Sequence, residues 1–188
     1  METTLFIISG PSGSGQDSVI EGLTKLLSLE RVVTTTTRPP RTGESDGHPY
    51  HFISKEAFES GLKENIFLEH ARHYGGEHYG VTITEADRVR ASGKIGIWKV
   101  DWQGVANIKR LFPETRAILI TAPLDILEAR LRRRDPSRSE TSLKERMDYS
   151  REYLNHTDLY DFVVENPDGK LEEAIQKVFR IINSSLVE

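Results

Sequence analysis

A hydrophobic run that breaks on a glycine-rich turn and resumes at helical spacing leaves a chain few ways to fold. Residues 5–23, LFIISGPSGSGQDSVIEGL, have this form. Gly10 and Gly15 bracket the turn, and Val19, Ile20, Leu23, Leu26 and Leu27 then recur at the spacing of one helix face. A strand, a glycine turn and a helix N-terminus in this order place backbone N–H groups around an anion, which predicts a phosphate-binding loop over residues 10–16. That pattern continues with lysine and then serine or threonine. Here the positions hold Gln16 and Asp17, an amide and an anion where a cation and a hydroxyl are called for.

The remainder of the chain predicts where such a loop is held. Short apolar runs LFII (5–8), IGIWKV (95–100), AILIT (117–121) and FVVE (162–165) alternate with helical patterns. The pattern predicts an α/β fold with a parallel sheet flanked by helices. A last helix follows NPDG (166–169), with Leu171, Ala174, Ile175, Val178 and Ile182 on one face. Residues 34–54 are polar, rich in proline and glycine, and end in alternating YHF, which reads as a short antiparallel insertion. Residues 130–151 are strongly charged around Asp135 and Pro136 and read as helical pieces joined by a mobile turn.

Composition removes several classes of function. The 188 residues suit one compact unit, and a net charge of -4 argues against nucleic acid or an anionic membrane as the main partner. With no cysteine there is no disulfide, thiol nucleophile or cysteine-bound zinc. METTLFIIS enters a strand without a basic segment or cleavage site, and no apolar run approaches spanning length, so a cytoplasmic location is expected. His70, His73 and His78 are close in sequence, but a glycine-rich loop is a poor frame for zinc, and they read as surface histidines. The arginines at 132–134 lack the aromatic platform of an RNA site, and Trp98 and Trp102 read as packing groups alternating along a strand.

Ordered motifs carry a resemblance over nearly the whole chain. TTTRPPRTGESDGHPYHF (35–52), FLEHA (67–71), HYG (78–80), VDWQG (100–104), RLRRR (130–134) and YDFVVEN (160–166) resemble those of the guanylate kinase family, which moves a phosphoryl group from ATP to GMP. The resemblance implies a P-loop nucleoside monophosphate kinase fold with a core (1–33, 95–128 and 158–188), an inserted GMP-binding subdomain (34–94) and a helical lid (129–157). It implies that Arg38, Arg41, Tyr50 and Tyr79 grip the acceptor phosphate, as guanidinium groups suit a dianion. Glu69 and Asp101 would accept from guanine's N1–H and amine, with Thr34 near the base. Val81 stands where the family has a hydroxyl, so one contact is lost unless Thr82 replaces it.

On the donor side the resemblance implies ATP and Mg²⁺, with Gly10, Ser12, Gly13, Ser14, Gly15, Gln16, Asp17 and Ser18 at the phosphates and Asn166 beside the adenine. Arg130, Arg134 and Arg146 match the lid arginines that clamp the migrating group. Lys99 replaces the first acid of the family's DxDxQG. The family's lysine, hydroxyl and aspartate carry the same summed charge as Gln16, Asp17 and Lys99, but in different places. Either the site is rewired, with Asp17 on Mg²⁺ and Lys99 on the phosphates as a catalytic cation, or Lys99 merely pairs with Asp17 and plugs it. A related branch acting on ribose 1,5-bisphosphate also carries aspartate at the second of these positions. The alternatives are thus a GMP- or phosphopeptide-binding module without catalysis, or a phosphokinase of a sugar phosphate. The expected assembly is a monomer or homodimer.

Overall fold

The computed structural model describes residues 4–72 and 75–186. In chain order its elements are β1 (Leu5–Ser9), α1 (Gln16–Thr24), β2 (Leu29–Arg31), β3 (Thr34–Thr36), β4 (Ser45–Asp46), β5 (Pro49–Phe52), α2 (Lys55–Lys63), β6 (Phe67–Arg72) and β7 (His78–Thr82). There follow α3 (Ile83–Ala91), β8 (Ile95–Lys99), α4 (Trp102–Leu111), β9 (Arg116–Thr121), α5 (Leu124–Arg134), α6 (Glu140–Asn155), a 3-10 turn at Thr157–Leu159, β10 (Phe162–Glu165) and α7 (Leu171–Ser185).

The apolar runs build a parallel sheet in the order β10-β9-β1-β8-β2. A strand covered on both faces needs apolar residues throughout rather than in alternation. Phe6, Ile7 and Ile8 of β1 and Ile118, Leu119 and Ile120 of β9 are accordingly all inaccessible to solvent. Phe6, Ile8, Ile118 and Ile120 pack with Val19, Ile20 and Leu23 of α1 and with Ala174, Ile175, Val178 and Ile182 of α7. Ile7, Trp98, Ala117 and Leu119 face the other way, onto Val105 and Ile108 of α4 and Tyr153 of α6. Each such buried side chain contributes about 1.5–3 kcal/mol relative to its exposed state. The first helix stops at Thr24, before Leu26, which is exposed.

A second sheet, β4-β5-β3-β7-β6, gathers residues between 34 and 82. Its pairing corrects the expectation of an antiparallel insertion at 34–54. Within that segment β3 and β5 run parallel, as do β4 and β5, and the antiparallel pairings are β3 with β7 and β6 with β7. The reason is the connection: a hairpin reverses within a few residues, whereas the chain here makes the excursion 37–48 and enters β5 in the direction of β3. Trp102 is likewise not a strand residue. It opens α4, and its ring stacks on His156 at 4.0 Å between centroids.

The charged segment forms α5 and α6, separated at residues 135–139. Leu127 and Leu131 of α5 pack on Leu143 and Met147 of α6 in a small core of their own. No helix among the described residues is long and apolar enough to cross a membrane.

Candidate functional site

The carboxyl ends of β1, β8, β9 and β10 lie along one edge of the parallel sheet, where the chain leaves for its loops. A cleft of about 680 Å³ opens there. It is lined continuously by the loop at Gly10–Ser18, the acceptor candidates of the second sheet and the arginines of α5 and α6.

Sterics fix the glycine loop. A Cβ at Gly10 would lie 2.1 Å from the carbonyl oxygen of Ile120 in β9. At Gly15, with φ +90°, a Cβ would lie 2.4 Å from Asn166 Nδ2. Asn166 donates from that nitrogen to the Ser14 carbonyl at 2.7 Å, and its Oδ1 is buried without a hydrogen bond, as is Ser14 Oγ. Arg130 ties the same region together: it donates to the carbonyls of Gly13 at 3.1 Å and Asn166 at 2.9 Å and pairs with Asp168 at 2.8 Å. Arg130 is thus a brace of the loop, and Asp168 its unforeseen partner.

The substituted positions have definite partners. Gln16 turns its amide back onto the Gly10 carbonyl. Asp17, in the first turn of α1, receives Lys99 Nζ on Oδ2 at 2.7 Å and Arg31 on Oδ1 at 3.0 Å. Burial pushes the Asp17 carboxyl up, but Lys99 and Arg31 outweigh it and hold it below its ordinary value. Sequence reasoning paired Asp17 with Lys99 and missed Arg31, which enters from β2. A magnesium ion takes hard oxygen ligands. Both oxygens of Asp17 are engaged by cations, and the described residues contain no group of three or more His, Cys, Asp or Glu placed to hold a metal. As arranged, these residues do not fit a resident ion.

Positive charge gathers between this loop and the second sheet. Arg146 donates to Ser12 Oγ at 3.4 Å. Arg134 forms no hydrogen bond or ion pair with the described residues. Burial and the neighbouring Arg146, Arg41 and Arg138 lower its pKa, so its charge is held at a cost that an anion would relieve.

On the acceptor side the two arginines differ. Arg38 is buried, pairs with Glu44 at 2.9 Å, donates to the Pro39 carbonyl at 2.7 Å and lies over the Tyr50 and Phe52 rings. Glu44, inside the quoted motif but unread, also accepts from the Arg41 backbone N–H at 2.8 Å. That leaves the Arg41 side chain exposed at the cleft. Tyr50 and Tyr79 meet edge to face at 5.9 Å.

Deeper in, Thr34 and Glu69 are buried at the cleft wall. A register shift between Phe67 and Glu69 interrupts the β6–β7 pairing, and Glu69 lies inward while His70 is exposed. Burial and the Asp101 charge push the Glu69 carboxyl up to about 8. Asp101 caps α4, accepting from Gly104 N–H at 2.9 Å on Oδ1, and takes the Tyr149 hydroxyl at 2.7 Å on Oδ2. Thr82 does not stand in for the hydroxyl missing at Val81: Val81 is fully buried in the core, and Thr82 Oγ1 caps α3 through Glu85 N–H. His70 and His78 form no metal cluster among the described residues, and His73 lies outside them.

A glycine loop at the carboxyl edge of a parallel sheet, facing an arginine-rich cleft with a carboxylate floor, defines a P-loop protein of the nucleoside monophosphate kinase class. The family model for guanylate kinase matches residues 2–185, and the chain belongs to the guanylate kinase family. It is 39% identical to the guanylate kinase of Histophilus somni over 87% of this chain and 80% of that protein. It is 37% identical to that of Haemophilus influenzae over 96% of this chain and 87% of that one. The crystal structure of guanylate kinase from Anaplasma phagocytophilum superposes with a TM-score of 0.75 at 22% identity, covering 100% of this chain and 89% of that one.

Proposed function

We propose that the protein transfers the γ-phosphoryl group of ATP to GMP, giving ADP and GDP, through a donor site whose charges have been relocated. The observation that carries this reading is the arginine cluster of Arg41, Arg134 and Arg146, set in one cleft between the glycine loop and the carboxylate floor. Phosphoryl transfer through a loose transition state needs mainly alignment and positive charge around the migrating group, and this cluster offers both.

GMP enters with its phosphate toward Arg41, Tyr50 and Tyr79, Arg38 being the preset wall behind them. Its guanine edge meets Glu69 and Asp101, beside Thr34. The ATP phosphates lie on the backbone N–H groups of residues 10–16, with Ser12, Ser14 and Ser18 alongside and Asn166 beside the base. Lys99 supplies the cation that Gln16 does not: drawn from Asp17 to the phosphates, it binds them as a compact charge that tolerates arrival from a new direction. Mg²⁺ would arrive as part of the MgATP substrate, and Asp17 Oδ2 would be open to it only if Lys99 left for the phosphates. Residues 1–33, 95–128 and 158–188 would serve as the core, 34–94 as the acceptor subdomain and 129–157 as the lid.

A second reading has one observation in its favour: Gln16 donates to the Gly10 carbonyl and both oxygens of Asp17 accept from cations of this chain, as in a plugged donor site. The protein would then bind GMP without turnover. Calorimetry with GMP and MgATP separately, followed by steady-state assay of the parent and of Lys99→Ala, separates the two. Rewiring requires MgATP binding and turnover in the parent and loss of turnover in Lys99→Ala. A parent that binds GMP but neither binds nor hydrolyses ATP overturns it. Gln16→Lys alone should leave the parent rate well short of a family-like one, because Asp17 and Lys99 still occupy the site.

A further inference from the structure

One face of α6 touches both halves of the cleft. Residues one turn apart on a helix share a face, and Arg146 and Tyr149 are so placed. Arg146 reaches Ser12 in the glycine loop at 3.4 Å, while the Tyr149 hydroxyl donates to Asp101 Oδ2 at 2.7 Å. The Tyr149 ring is set edge-on to Tyr153 at 5.8 Å, and Tyr153 is buried in the core beneath the parallel sheet. This packing gives the hydroxyl a defined position. Asp101 is held from the other side by its cap bond to Gly104 N–H, so both its oxygens have donors and the plane of the carboxylate is set. Glu69, across the same floor, has no such anchor. Its carboxyl forms no hydrogen bond or ion pair with the described residues.

We propose that Tyr149 is a positioning residue for base recognition. Its hydroxyl fixes the Asp101 carboxylate that meets the purine, so discrimination between guanine and adenine is complete only while α6 is seated on the glycine loop through Arg146. The inference rests on the reading of the acceptor as GMP. It goes beyond that reading in making the lid helix a part of the acceptor site. A carboxylate free to rotate about χ2 presents its lone pairs in many directions, whereas one held at both oxygens presents the remaining lone pairs in one. Donor occupancy, by holding Arg146 at the loop, then also steadies the acceptor floor.

Tyr149→Phe tests this, since it removes the hydroxyl and keeps the ring against Tyr153. The preference for GMP over AMP, measured by calorimetry, should fall about tenfold, the loss expected for one hydrogen bond to a charged group. KM for GMP should rise while KM for ATP holds. The gain in GMP affinity produced by a non-hydrolysable ATP analogue should shrink. In an Asp101→Asn background, which keeps a capping side chain on α4, Tyr149→Phe should add nothing. Undiminished discrimination in Tyr149→Phe overturns the proposal. So do fully additive effects in the double variant, or a joint loss of GMP and ATP affinity with a lowered melting midpoint. A parent protein that fails to prefer GMP to AMP removes the functional reading itself, and this inference with it.

Discussion

Glu69 and Arg41 show how much of the proposed function rests on a single side chain. The Glu69 carboxyl is raised to about 8 by burial and by Asp101, so it keeps its proton at neutral pH, and on the proposed reading only its ionised form would accept two N–H groups of guanine. GMP affinity should therefore rise as pH goes from 6 to 8 and level off above, and calorimetry in buffers of different ionisation enthalpy should register the released proton. The same shift has an opposite effect on stability. A folded-state pKa above the unfolded value of 4.5 contributes stability that is complete below 4.5 and is lost as pH rises through about 8. Glu69→Gln should thus raise the melting midpoint relative to the parent more at pH 8.5 than at pH 5. On the proposed reading, in which the exposed Arg41 side chain meets the phosphate, Arg41→Ala should weaken GMP by roughly 1.5–3 kcal/mol and leave guanosine nearly unchanged in the same titrations. The two candidates came from different quoted motifs, Arg41 from 35–52 and Glu69 from FLEHA (67–71), because a charged side chain can be picked out of a motif by its type. Arg31, Tyr149 and Asp168 were not picked out, although Tyr149 follows Arg146 by one helical turn and Asp168 follows Asn166 by two residues: each holds another side chain of the site, and local spacing does not show which side chains will meet. Glu44 was in plain view, but its work is to hold other residues, and composition does not distinguish a carboxylate that binds a ligand from one that braces an arginine.

At the scale of elements, the parallel strands could be read from sequence because double burial forces continuous apolar runs, and β1, β8, β9 and β10 fall within a residue or so of them. The second sheet could not. Its strands are short and half-polar, and the order in which they pair depends on the excursion 37–48 rather than on any local period. The division of the charged segment into α5 and α6 follows from Pro136 and from Ser139, whose hydroxyl accepts the Ser142 N–H at 3.2 Å and caps α6. Ser139→Ala should cost about 1 kcal/mol of helix stability and speed amide exchange in residues 140–146 before any other part of the chain. Its effect on turnover should exceed its effect on GMP binding alone, since the end of α6 that it frays carries Arg146. Equal exchange in the parent and the variant would show that packing of Leu143 and Met147 on α5, and not the cap, sets this end.

For the molecule as a whole, two sheets and a helical pair face one cleft, in which Arg134 is set among Arg41, Arg138 and Arg146. Filling both sites should draw the parts together. A bisubstrate analogue should slow hydrogen exchange in residues 130–151 and in the excursion 37–48 at once, and unchanged exchange with binding confirmed would mean a rigid cleft. The tight fit of Gly10 against β9 has a different kind of consequence. The curve of the loop is set by a neighbouring strand's carbonyl and by the carboxamide of Asn166, with the Gln16 amide closing onto the Gly10 carbonyl, while the Asp17 carboxylate is held from outside the loop by Lys99 and Arg31. The backbone cradle and the charge at position 17 therefore rest on separate contacts, the first within the loop and its neighbouring strand, the second with β2 and β8. A change of charge at position 17 would thus leave the fold of the anion cradle standing, because the contacts that bend the loop lie elsewhere.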